Sequence, residues 1–166
     1  MKRLFLFLIV FVQAIVGFAE NWVDFAEEPA TNPDGVYVIT KATELAWVAK
    51  QTQTAVFDGS LIITNDIDLS GKQWTPLGYN GSTTTGATGF YFNGSIDGQG
   101  HTISGLYANY ANSGLVGMSS GECKIKNVGV INSYFASIEN VGGICGNAGN
   151  NTEISNCYSS NVICKG

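Results

Sequence analysis

Apolar residues recur in this chain at a fixed long step. Ile67, Ile96, Ile125 and Ile154 are each 29 positions apart, and Leu77, Leu106, Phe135 and Cys164 form a second series at the same step. A third aligns Gly114-Leu115-Val116-Gly117 with Gly143-Ile144-Cys145-Gly146, and a fourth aligns Asn127 with Asn156, with Gly98 one step earlier. A repeat of this kind implies stacked units, none able to bury its own apolar face alone. Coils of short strands, rising about 4.8 Å per turn, convert the series into side-chain ladders. The expectation is an all-β fold, a parallel β-helix (β-solenoid) with 29-residue coils over residues 61–166. A β-sandwich requires no such period, and propeller blades of about 40 residues would not fit four times. Gly114, Gly117, Gly143 and Gly146 are expected at corners, through positive φ or close backbone approach. Asn127 and Asn156 suit corners because asparagine tolerates the left-handed region.

The stretch before the repeats reads differently. Thr40 to Thr54 places Ala42, Leu45, Ala46 and Ala49 at helical spacing, which predicts an amphipathic helix with Thr40 as its N-cap. Gly35 to Ile39 reads as a short strand. Stacked coils expose unpaired edges at their ends, so residues 20–60 are expected to form an N-terminal cap containing one α-helix.

Residues 1–19 have the pattern of a signal peptide. Lys2 and Arg3 precede the apolar run Leu4 to Val12, and Gly17-Phe18-Ala19 offers small residues for cleavage before Glu20. The run is shorter than the roughly 20 residues that span a bilayer, so no integral membrane segment is expected after cleavage. The first cysteine is Cys123, which argues against a bacterial lipid anchor. The chain stops at Gly166, a few residues into a further turn, and truncation of a longer protein is the expectation. With 8 Lys and Arg against 13 Asp and Glu, and no basic cluster, nucleic acid is not an expected partner. The composition, 13% charged with 21 glycines, suits turn-rich β structure.

Gly114-Leu115-Val116-Gly117 and Ile125-Lys126-Asn127-Val128, with imperfect copies at Gly143 to Gly146 and Ile154 to Tyr158, resemble GLUG-motif repeats. The upstream segments Glu44 to Trp47, Asp66 to Ser70, Trp74 to Gly78 and Ile96 to Leu106 look like the lead-in common in such proteins. The resemblance spans roughly residues 36–166. It implies a bacterial secreted or surface protein with right-handed winding, adhesin-like or associated with a secreted peptidase.

Several residues invite a chemical reading. Gly117-Met118-Ser119-Ser120-Gly121 has the form G-x-S-x-G, but a nucleophile elbow needs a strand-to-helix turn with a histidine and an acid. A Gly/Ser corner is the simpler reading. His101 is the single histidine, so a two-histidine zinc motif is excluded; it is expected to hydrogen-bond the glycine-dense corner Asp97 to His101. Asp66, Asp68, Asp97 and Glu153 raise the possibility of a carboxylate or calcium site. Asp68, Asp97 and Lys126 share the 29-residue step, and a compensated surface ladder is expected instead. Tyr79, Phe90, Tyr91, Phe92, Tyr107 and Tyr110 could stack on sugars, although packing is the commoner role. Asn80 to Gly89 reads as a loop where a ligand could bind. Cys145 and Cys164 continue apolar series and are expected to be buried. Cys123, Cys145, Cys157 and Cys164 allow three disulfide pairings, and spacing selects none.

No residue is therefore assigned a catalytic, cofactor-binding or metal role. The expectation is a non-catalytic secreted or cell-surface module, structural or adhesin-like, meeting a host or environmental glycan or protein. The alternatives are a carbohydrate-active β-helix enzyme and a spacer of a larger secreted peptidase.

Overall fold

A computed structural model describes residues 20–79 and 90–166; the proposed signal peptide and the Asn80–Gly89 segment lie outside that range. The described chain is rich in strands, with one α-helix, α1 (Ala42–Gln51), and no closed barrel. The largest sheet runs in the order Ala30–Thr31, Tyr37–Ile39, Ser60–Ile63, Ser95–Asp97, Lys124–Lys126, Glu153–Ser155. A second sheet joins Ile67–Asp68, Thr102–Ser104, Gly129–Ser137 and Tyr158–Lys165, and Tyr107–Asn109 pairs along Gly129–Ser137. Two further pairs are Asn112–Ser113 with Asn140–Val141, and Val116–Met118 with Cys145–Asn147. Among the described strands, only Ala30–Thr31 pairs antiparallel, against Tyr37–Ile39.

Along Ser95–Asp97 and Lys124–Lys126 a buried apolar residue alternates with more exposed polar ones, and the inward set supplies the core. Ile96 and Ile125 are fully buried and lie directly opposite one another, with Ile154 next in line. Leu61, Ile67, Ile103, Val130, Trp74, Leu77, Phe92 and Phe135 complete the same core. The Trp74 indole N–H donates to the Gly114 and Leu115 carbonyls at 3.2 and 3.3 Å, which satisfies its one polar atom in the interior.

The 29-residue step holds where corners are equal in length and fails where they are not. Ile96, Ile125 and Ile154 keep it, as do Val116 with Cys145 and Gly129–Ile131 with Tyr158–Ser160. Ile67, however, pairs with Ile103 rather than Ile96, and Ile96 pairs with Leu61. The corner after Ser95–Asp97 turns on two left-handed residues, Gln99 (φ 51°) and Gly100 (φ 88°), whereas the corner after Lys124–Lys126 uses Asn127 (φ 55°) alone. The longer corner delays the following strand, so Ile103 meets Val130 and Tyr107 meets Tyr134. The Leu77–Leu106–Phe135–Cys164 series is consequently not a ladder. Leu77 bridges to Val116, Phe135 lies between Ala108 and Ile163, and Cys164 is exposed.

Gly114, Gly117, Gly143 and Gly146 do not sit in the left-handed region. They are needed for close approach: a Cβ at Gly117 would lie 2.9 Å from the Asn112 carbonyl oxygen, and one at Gly146 would lie 2.8 Å from that of Ser113. Asn127 and Asn156 adopt the left-handed conformation as expected.

The helix starts one residue later than the pattern predicts. Lys41 is its N-cap, without a side-chain cap bond. Thr40 contributes from outside, because its N–H and hydroxyl both donate to the Glu44 carboxylate at 2.7 and 2.9 Å. That carboxylate also complements the positive end of the helix. Leu45, Ala46, Val48 and Ala49 face the core, and the short 3₁₀ turn Trp22–Phe25 packs on the helix.

Candidate functional site

The residues singled out in the sequence are scattered, and none forms a catalytic constellation. Ser119 is buried, its hydroxyl 2.8 Å from that of Thr152 and 3.7 Å from the Cys145 sulfur. The histidine lies elsewhere. His101 Nδ1 sits 3.3 Å from Asp66 Oδ1, and that same oxygen accepts the Thr102 N–H at 2.8 Å. The Thr102 amide, together with its hydroxyl and His101, holds the Asp66 carboxyl below its ordinary pKa. The backbone N–H of His101 does bond the expected corner, donating to Gly98 O.

Asp97 and Lys126 stack as expected, with Lys126 Nζ 3.2 Å from Asp97 Oδ2. Asp68 does not join them. It pairs with Ser104 and accepts the Ser70 N–H, because Ile62 is the residue opposite Asp97. Glu153 lies opposite Lys124. Among the described residues, no three histidine, cysteine or acidic side chains converge as a metal site would require.

All four cysteines are free thiols. Cys123 is buried, and desolvation pushes its pKa up to about 12. Burial also raises the Cys145 thiol. The Cys157 thiol donates to the Ser155 carbonyl at 3.2 Å.

The aromatics divide in an informative way. Phe92 stacks on Phe57 inside the core, and Tyr79 meets Tyr110 edge-on at 4.8 Å. Tyr107 instead points outward, 45% exposed, and stacks on Tyr134, itself 37% exposed, at 5.5 Å and 13° between planes. Tyr134 is the partner of this stack that the sequence did not single out. It lies 27 positions after Tyr107, and only a search free of the 29-residue step would have paired them.

These tyrosines form one flank of a surface groove of about 670 Å³. Its floor follows a bend repeated on successive strands, from Ser70-Gly71 past Gly105-Leu106 and Asn132-Ser133 to Ser160-Asn161. Asn132 holds φ 51° where the Gly129–Ser137 strand bulges against its neighbour. Asn161 braces that bulge: its amide N–H donates to Val130 O at 2.9 Å, and its oxygen accepts the Ser133 N–H at 3.0 Å. Among the described residues, no lysine or arginine lines the groove.

No protein-family model matches this chain, and no curated protein or solved structure matches it either. Among the described residues, no helix is long and apolar enough to cross a membrane.

Proposed function

We propose that this chain is a non-catalytic β-solenoid module, secreted or displayed at the cell surface, that binds a partner through its side wall. The observation that carries the reading is the in-register run Ile96, Ile125, Ile154, with parallel pairing on both sides of Ile125. Each coil of a solenoid repeats the outward positions of the one before, which yields an extended wall suited to adhesion. The antiparallel hairpin and α1 then serve as the N-terminal cap over residues 20–60, and residues 61–166 form the coils. The resemblance to GLUG-motif repeats and the secretory pattern of residues 1–19 support the location. The separation of Ser119 from the His101–Asp66 pair supports a binding role over hydrolysis, since a nucleophile and its base must lie within hydrogen-bond reach.

Expression of the full gene product with mass analysis of the exported form tests location: Glu20 should be the first residue, and a retained Met1 would overturn secretion. A screen of the purified protein on polysaccharides and peptides, paired with a cell-retention assay, tests role. Retention without turnover is expected. Turnover lost in His101→Ala, with the fold intact, would establish the carbohydrate-active alternative instead.

A further inference from the structure

We infer that the groove beside Tyr107 and Tyr134 is a binding site for a neutral carbohydrate chain, an inference that rests on the binding-module reading above. The first argument is charge. Among the described residues no cation lines the groove, and the Asp68 carboxylate accepts the N–H of the lining residue Ser70 at 2.9 Å. The nearby Lys72 is engaged elsewhere, paired with Glu20 and placed 4.2 Å over the Phe25 ring. A phosphate, nucleic acid or uronate chain would meet an anion and no counter-charge, whereas a sugar hydroxyl can donate to that carboxylate.

The second argument is the hydrogen-bonding inventory. The Asn132 amide and the Ser70 and Ser160 hydroxyls line the groove without a side-chain hydrogen bond to any described residue. An amide both donates and accepts, and so does a hydroxyl, which matches the mixed edge of a polyol. The stacked tyrosines add exposed aromatic surface beside these groups, on which a sugar ring can pack.

The third argument is shape. A Cβ at Gly105 would fall 2.8 Å from the Ser70 side chain and 2.9 Å from Asp68 Oδ1, so glycine at this position lets the connections along the groove pack closely. The groove crosses four strand levels, about 14 Å at ordinary strand spacing, which is the reach of several sugar units in a row. At the inner levels of the groove a peptide strand has no edge to extend. The Leu106 N–H is bonded to Ser133 Oγ, the Tyr134 N–H to Leu106 O and the Gly105 N–H to Ile131 O.

The test is affinity electrophoresis of the intact protein in gels carrying xyloglucan, galactomannan or mixed-linkage β-glucan, with polygalacturonate as the anionic counterpart. Retardation by at least one neutral polysaccharide and none by polygalacturonate is expected. Tyr107→Ala with Tyr134→Ala, and separately Asn132→Gly (which preserves the positive φ), should each weaken binding about tenfold or more. Both variants should keep the wild-type circular dichroism and unfolding midpoint. Migration unaffected by all three neutral polymers, equal retardation by polygalacturonate, or unaltered binding by both folded variants would overturn the inference. A peptide ligand selected against the groove, in the absence of glycan binding, would overturn it as well. Cell retention that persists in the variants would reject this site and leave the module reading standing; absence of wild-type retention would reject the module reading itself.

Discussion

Asp97 and Lys126 face each other across adjacent parallel strands, their charged groups 3.2 Å apart, and Asp97 also accepts the Asn127 amide at 3.0 Å and the Gln99 N–H at 3.0 Å. The carboxylate thus ties together two successive corners. The ion pair is half-open to solvent, and such pairs contribute at most about 1 kcal/mol. Hydrogen bonds to the carboxylate matter more, at about 1.5–3 kcal/mol for charged acceptors. Lys126→Met is therefore expected to lower stability by less than about 1 kcal/mol, and Asp97→Ala by about 1–3 kcal/mol. Urea unfolding of both variants makes the comparison; equal losses would show that the pair, not the corner, carries the energy.

The same residue predicts an acid response. At Asp97, burial pushes the pKa up, but the Asn127 amide, the Gln99 N–H and Lys126 together bring it below its ordinary value. Asp66 is lowered chiefly by the Thr102 N–H. A carboxyl depressed in the folded state stabilises above its unfolded pKa, near 3.9, and loses that contribution as pH falls toward the folded value. Urea midpoints should decline as pH drops below about 4, and the decline should be shallower in Asp66→Asn/Asp97→Asn. A midpoint that rises on acidification would contradict the assignment.

Equivalent positions in one ladder should differ in cost. Ile125 is fully buried between Ile96 and Ile154, whereas Ile154 is 43% exposed. Ile125→Ala is expected to cost about 2–5 kcal/mol, through lost transfer energy and an unfilled cavity. Ile154→Ala should cost about 1 kcal/mol or less, because the remaining structure already leaves it in contact with water. Denaturant titration measures the difference, and comparable losses would mean that the in-register pairing is wrong.

Thiol reactivity should follow burial. Only thiolate reacts, and with a pKa near 12 Cys123 has roughly one thiolate in ten thousand at pH 8. Brief iodoacetamide treatment of the native protein should label the exposed Cys164 and spare Cys123, with Cys123 labelled once urea unfolds the chain. Peptide mass mapping reads the order. Early labelling of Cys123 would place it at the surface.

Gly78 tests backbone crowding. It holds φ 71°, and a Cβ there would fall 1.9 Å from the Met118 carbonyl oxygen and 2.7 Å from the Phe92 nitrogen. Gly71 also has positive φ (83°), with nothing within 4 Å. Gly78→Ala should cost about 2–4 kcal/mol, strain and overpacking together, and Gly71→Ala about 1 kcal/mol from strain alone. Thermal unfolding of the two variants separates clash from conformation; equal shifts would leave only the conformational term.

Read alone, the sequence determined which side chains go inside and that the strands repeat. Alternation of apolar and polar residues is a local property, visible in Lys124–Lys126 as in Ser95–Asp97, and the 29-residue step correctly joined Ile96, Ile125 and Ile154, Asp97 with Lys126, and Val116 with Cys145. The left-handed corners at Asn127 and Asn156 were legible for the same reason, since asparagine favours that conformation by itself. Register elsewhere was not. A ladder depends on the summed length of every corner between two strands, and the two-residue turn at Gln99-Gly100 shifts the pairing from Ile103 to Tyr107 before the 29-residue step returns at Val116. That shift brings Tyr107 against Tyr134, while Ile67 and Asp68 miss Ile96 and Asp97 because Leu61 is the residue opposite Ile96. The groove exists only because strands distant in the chain bend at the same height, so its residues carry no shared motif. Tertiary pairing, which counts residues through the corners, decided the candidate site.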